Sequence, residues 1–137
     1  MPTLIARILD WPYFALLARV VLTFPFWGSG LSKLIDFPGG VAEMAQYGLK
    51  PPVLINYLVI FTQLGGSLLI IANRRAWSGA GALAIFTLLT IPIAHDFWNL
   101  KGEAASFEFY VAVEHIGLIG GLMLAAILSR QSKYKGA

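Results

Sequence analysis

Apolar residues dominate four stretches of the chain, Phe14–Leu34, Pro52–Ala72, Trp77–Phe97 and Phe107–Leu128. Each matches the roughly 20 residues a helix needs to cross the hydrocarbon core of a bilayer. The pattern predicts an all-α membrane protein: a bundle of four transmembrane helices, with residues 1–137 forming one domain. The first stretch has no short apolar region followed by a small-residue cleavage site, and it carries Arg19, so it reads as a retained helix. Between the first two spans, Pro38 suits the first turn of a helix. Val41, Met44, Ala45 and Leu49 recur at helical spacing, and Gly48 suits a C-terminal cap. A short surface helix is expected there. The connection around Asn73–Ala76 is a tight turn, which makes the second and third spans antiparallel neighbours.

The polar residues of the connections orient the bundle. Arg7, Arg74, Arg75, Arg130, Lys133 and Lys135 fall on one side, with Arg19 just inside the membrane, whereas the other side has only Lys33, Lys50 and Lys101. Basic residues favour the cytoplasmic side, so both termini are expected in the cytoplasm. Trp11 and Trp77 then mark the cytoplasmic boundary, while Trp27, Trp98 and Tyr110 lie toward the outer one. This arrangement is that of an interfacial aromatic belt.

Composition agrees with a lipid solvent. Hydrophobic residues make up 58% of the chain and charged residues 12%, with a mean hydropathy of +0.72. A water-soluble fold of this composition would expose too much apolar surface. The absence of cysteine excludes disulfides, thiolate metal sites and thiol relay chemistry. A net charge of +3, clustered at membrane boundaries, excludes nucleic acid as a partner. The bilayer itself is the expected surrounding.

Ionisable groups inside the spans need partners, water or protonation, because burial in lipid costs them several kcal/mol. Arg19, Thr23, Phe26, Gly30 and Lys33 share one stripe of the first span. Arg19 either snorkels to lipid phosphates or meets a buried partner. Pro25 withdraws one intrahelical bond and is expected to kink this helix. Asn56, Gln63 and Ser67 share a face of the second span, a pattern that interhelical hydrogen bonding explains as well as a site does. In the third span, Gly81, Leu88, Pro92 and His95 form a stripe that ends beside Asp96. In the fourth, Glu114 and His115 lie about two turns below the outer end, and Glu108 shares a face with His115. Glu114 shares another with Gly117 and Gly121, a small-residue packing edge. A carboxylate at that depth is paired, protonated or in a wet cavity. Lys33, His95, Glu108, Glu114 and His115 all fall in the outer half of the membrane, with Asp36, Asp96, Trp27 and Trp98 near the rim. They predict a cleft open to the outer side over an apolar floor.

The run Phe26-Trp27-Gly28-Ser29-Gly30-Leu31-Ser32-Lys33-Leu34 resembles the first-helix signature of the DoxX family, apolar-x-x-x-G-x-x-K. The likeness continues through Gly39-Gly40-Val41, Tyr47-Gly48-Leu49-Lys50-Pro51-Pro52, Gly65-Gly66 and Arg74-Arg75. It extends to His95-Asp96-Phe97-Trp98 and Gly120-Gly121-Leu122, so it covers nearly the whole chain. The resemblance implies a bacterial or archaeal inner-membrane protein with a four-helix bundle. Family members are associated with quinone-linked sulfur oxidation or membrane oxidoreductase assemblies, and many have no assigned activity. Gly30, Lys33, Gln63 and His95 match family positions. Gln63 departs from the pattern, since the family commonly has Glu there.

Three functions follow from these residues. In the first, the chain is a quinone-interacting subunit of a redox assembly. His95, His115 and Glu114 would handle protons, while Lys33, Gln63, Trp27 and Glu108 would hold the headgroup. No flavin or dinucleotide fingerprint is present, so electrons would come from a partner oxidoreductase subunit. Haem between His95 and His115 is disfavoured, because His115 is expected about 7 Å deeper at 1.5 Å per residue. No metal site is expected. In the second, the chain is a non-enzymatic scaffold or anchor for other proteins. In the third, it is a small-solute carrier, which with only four helices would act as a homo-oligomer.

Overall fold

The computed structural model describes the backbone of residues 1–135 and side chains through Ser132; Lys133 and Lys135, which bear on the orientation argument, lie outside the described side chains. Four helices are long and apolar enough to span a membrane. They are α2 (Pro12–Ile35), α4 (Pro52–Ile71), α5 (Ala76–Ala94) and α6 (Gly102–Lys135). A short α1 (Thr3–Leu9) precedes them, α3 (Phe37–Gln46) joins α2 to α4, and a single 3-10 turn at Phe97–Asn99 joins α5 to α6. No strand occurs among the described residues.

The helices begin where local chemistry permits. Pro12 and Pro52 open α2 and α4 at a position whose N–H would find no intrahelical partner. Asp36 caps α3: its carboxylate accepts from the Gly39 N–H at 3.0 Å. At the far end of α3, Gly48 adopts φ +72°, the left-handed conformation that favours glycine. In the tight turn after α4, Asn73 and Arg75 take the same conformation without being glycine, at φ 52° and 50°. α5 ends at Ala94, earlier than the periodicity suggested, so His95 and Asp96 leave the helix. Asp96 there accepts from Asn99 Nδ2 at 2.9 Å.

α2 packs on α4, α4 on α5 and α5 on α6, with slight contact between α6 and α2 closing the ring. Lipid-facing side chains such as Phe61 and Phe107 point outward from all four. The core comprises Phe26, Ile70, Ala76, Ala80, Leu83 and Leu122. Close approach is achieved at particular glycines. A Cβ on Gly79 would stand 2.6 Å from the Gly66 carbonyl oxygen, and one on Gly30 would stand 2.9 Å from Leu64 Cδ2. On the stripe of Gly81, Leu88, Pro92 and His95, Gly81 is open and Leu88 exposed, because α5 meets α4 through Gly79 and Leu83. Similarly, Gly121 packs on Leu22 while Gly117 faces open space. α2 runs unbroken through Pro25, and the Trp27 indole N–H donates to the Val20 carbonyl at 3.2 Å in the turn before the proline. Arg19 is half-buried, with its Nε buried and unpaired.

α3 seats on α4 through Gly40 and Met44; of the residues that recur at helical spacing, Met44 is buried, Val41 and Leu49 are half-buried and Ala45 is exposed. A Cβ at Gly40 would stand 2.6 Å from Asn56 Oδ1, so the glycine lets the helix lie directly on that fully buried amide. Seated this way, α3 turns Glu43 and Tyr47 toward the bundle.

Candidate functional site

The four spanning helices are solid near the Asn73 turn and hollow beneath α3. The hollow is a cavity of about 440 Å³, within the usual range for small-molecule pockets. Its walls are mostly apolar, including Phe26, Ile55, Val59, Phe86 and Leu118. Phe26 and Phe86 meet edge to face, 6.4 Å between centroids, and separate the cavity from the core beyond.

Into this apolar space project polar groups from every helix around it. From α2, Lys33 Nζ donates to Ser29 Oγ at 3.2 Å and pairs with Glu43 Oε2 of α3 at 2.9 Å. The ammonium is much the better buried partner, at 13% exposure against 39% for the carboxylate. Tyr47 lies one turn beyond Glu43, and its phenol is pushed above its ordinary range by burial and by the Glu43 and Glu108 carboxylates. From α4 comes Gln63, 5% exposed, with Oε1 buried and unpaired. From α5 come Thr87 and Thr90.

The junction of α5 with the 3-10 turn supplies His95. Because the helix has ended, its ring swings toward α6, where Nδ1 meets Glu108 Oε2 at 2.6 Å. The His95 ring also meets His115 edge to face, with centroids 4.7 Å apart. Glu108 thus stands behind His95, and His95 and His115 both line the cavity. The two imidazoles touch each other, an arrangement with no room for a porphyrin between them. No group of three side chains suited to holding a metal occurs among the described residues.

Of the residues the sequence singled out, Lys33, Gln63, His95 and His115 line one cavity, and Glu108 supports it from behind. Trp27 and Glu114 are elsewhere. The Trp27 ring packs on Phe24 at 5.0 Å outside the cavity. Glu114 is on the exposed face of α6, because the residue that follows it, His115, takes the inward position. Sequence reasoning missed Glu43, Tyr47, Thr87 and Thr90. The two threonines were detectable as hydroxyls three residues apart in an otherwise apolar helix. Glu43 and Tyr47 flank Gly40 and Met44 on the α3 helical wheel, so they would have followed had Gly40 been taken as the seat.

Comparison with known proteins places these elements. The DoxX family profile matches residues 14–96, which contain Lys33, Glu43, Gln63 and His95 but not Glu108 or His115. The inner membrane protein YphA of Escherichia coli (strain K12) is 26% identical over 116 residues, covering 85% of this chain and 83% of that protein. No solved structure matches the chain significantly. The profile spans more than half of the chain, and the four apolar helices agree with it. The chain belongs to the DoxX family and is a multi-pass integral protein of the inner membrane.

Proposed function

We propose that residues 1–137 act as one four-helix unit that holds the ring of a membrane-borne quinone in the cavity beneath α3, as a subunit of a redox assembly. The observation that carries this reading is the cavity itself. A ring with two oxygens and a long apolar tail needs polar groups at separate points of an apolar space, with lipid close by. Lys33, His95, His115 and Gln63 provide those points, and Phe26, Val59, Phe86 and Leu118 provide the walls. His95 hydrogen-bonded to Glu108 forms a dyad able to take up and release a proton at the ring's oxygen. A partner protein supplies the electrons.

The test is purification of the chain in mild detergent, followed by extraction and chromatography of bound quinone and by thermal unfolding with added short-tailed quinone. Co-purifying quinone and a saturable rise in unfolding temperature are expected. Their joint absence would overturn the reading. The α3 end is proposed to face away from the cytoplasm, with both termini inside. Because the chain has no cysteine, a single cysteine placed at Ala42 or at Asn73 reports this directly. An impermeant maleimide added to intact cells should label the first and spare the second.

A second reading is favoured by Glu114. A carboxylate on the exposed, bilayer-level face of α6, next to the open surface at Gly117, fits a covering protein partner or a second copy better than lipid. This is the scaffold role, and it is compatible with an occupied cavity. Co-purification of a defined partner, lost on Glu114→Leu but kept on His115→Ala, would support it.

A further inference from the structure

α4 and α5 face each other along two stripes of helical spacing. At one end of the stripes they cross closely: a Cβ on Gly79 would stand 2.6 Å from the Gly66 carbonyl oxygen, and one on Gly66 would stand 2.8 Å from Leu83 Cγ. Followed toward α3, the stripe of α4 continues through Val59 and Ile55, seven and eleven residues before Gly66. That of α5 continues through Phe86, Thr90 and Ile93, seven, eleven and fourteen residues after Gly79. In a helix pair packed along its whole length these side chains would fill the seam. Here all five line the cavity, so the space between α4 and α5 on the α3 side of the crossing belongs to it.

This gap reaches the outer surface of the bundle. Leu89 and Ile93 line the cavity and are nevertheless 54% and 41% exposed, on a helix that spans the membrane. Ile55 and Val59 of α4 are half-buried, as is Leu49 of the α3–α4 connection, which lines the cavity beside them. All five of these side chains are apolar. The charged and imidazole groups belong to the other walls: Lys33 on α2, Glu43 on α3 and His115 on α6, with the His95 ring turned toward α6. Gln63 belongs to the α2 side of α4, where a Cβ on Gly30 would stand 3.2 Å from its own Cβ. Pro25, the exposed lining residue of α2, stands one turn from Ser29 and two from Lys33, so an opening on that side is edged by polar groups.

We infer that the cavity opens sideways into the bilayer between α4 and α5, and that the apolar tail of its ligand leaves through this gap, across Val59, Leu89 and Ile93. This inference rests on the reading above that a tailed ring is the occupant, and it gives the tail a place of its own. The head lies against α2 and α6, where the polar groups are, and the first carbons of the tail lie against the α4–α5 edge. A tail in that position passes from protein to lipid along apolar side chains only. The head in turn reaches its partners without leaving the membrane. The ligand class that fits is a single-chain amphiphile already dissolved in the half of the bilayer beside α3.

The experiment uses the whole chain in detergent and a dimethoxy-benzoquinone in two forms, one with a decyl tail that carries a diazirine near the ring, the other with a methyl group in place of the tail. After irradiation of the first, peptide mapping is expected to find the label on Ile55, Val59, Leu89 or Ile93, and excess unlabelled decyl-tailed ring should suppress it. Suppressible label on Pro25 or Leu118 instead would put the tail between α2 and α6 and overturn this inference alone, leaving the cavity as a quinone site. Ile93→Trp, which narrows the gap, should weaken the decyl-tailed ring about tenfold, as expected of an overfilled space, and the tail-less ring less than about twofold. Equal weakening of the two would make Ile93 part of the chamber for the head and would also overturn the inference. No saturable binding of either form would overturn the underlying reading as well.

Discussion

Near the Asn73 turn and beneath α3, the same four helices are packed in opposite ways, and the difference lies in a few side chains on α4 and α5. Toward the turn, Gly66 and Gly79 bring the two backbones together, and Ile70, Leu83 and Leu122 fill the remaining space with no exposure at all. Polar side chains on this side are self-sufficient: Ser67 donates to the Gln63 carbonyl on its own helix at 2.6 Å. Beneath α3 there is no such glycine contact between α4 and α5. The helices there carry Gln63, Thr87, Thr90 and His95 around an open volume. Polarity alone therefore does not mark the site. Thr87 and Thr90 bond their own helix just as Ser67 does, so what marks the site is polarity gathered around an open volume.

Substitutions can break that contrast from either side. The largest effect is expected at Gly79→Leu, which drives a side chain into the Gly66 carbonyl and costs about 3 kcal/mol. The same change at Gly81, where nothing lies within 4 Å, should be tolerated. Unfolding temperature in detergent separates the two, and equal losses would mean that the close crossing does not hold the solid half together. Next come His95→Ala and Glu108→Gln. Each should weaken ring binding about tenfold, roughly 1.4 kcal/mol, and the double variant should be little worse than either single one, as expected of groups acting as a unit. Additive losses in a binding titration would argue against the dyad.

Lys33→Met should have a smaller effect on stability. It leaves Glu43 unpaired, and because that carboxylate is 39% exposed the expected loss is about 1 kcal/mol, well below that of a fully buried pair. Adding Glu43→Gln should restore most of it in the same denaturation assay. The smallest effect concerns Tyr47. Its folded-state pKa lies above the ordinary 10.0, so the fold favours the neutral phenol. That preference is fully present below pH 10 and is lost as pH rises through the raised value. The tyrosinate absorbance that disappears in Tyr47→Phe should titrate above pH 10, and Glu43→Gln should lower its midpoint. An unshifted midpoint would place the phenol in bulk solvent.

The spans and the order of the helices were legible because lipid imposes a length and a composition that local sequence reports directly. Pro12 was not anticipated as the start of α2, and α6 begins before Phe107, since both ends extend past the apolar core into polar residues. The cavity was partly legible. Lys33, Gln63, His95 and His115 were found because ionisable or amide groups within spans are conspicuous. Glu114 was as conspicuous as His115, and depth could not separate them, because adjacent residues on a helix differ by about 100° in direction and only the packing of α6 chose between them. Glu43 was obscured for the opposite reason. It lies in a connection, where a carboxylate is ordinary, and its pairing with Lys33 depends on how α3 folds back over α4. That, in turn, depends on one glycine.

The seat of α3 on Asn56 is a fit to the nearest carbon. Because residue 40 ends at its Cα, the roof helix rests as low as its backbone allows, and the carboxylate and phenol it carries hang at the height where an ammonium from another helix can meet them. One methyl group added there would have to displace the Asn56 amide or else raise the roof, and in the second case the Lys33–Glu43 pair would part together with it. The shape of the opening is thus set by an atom the chain does not have.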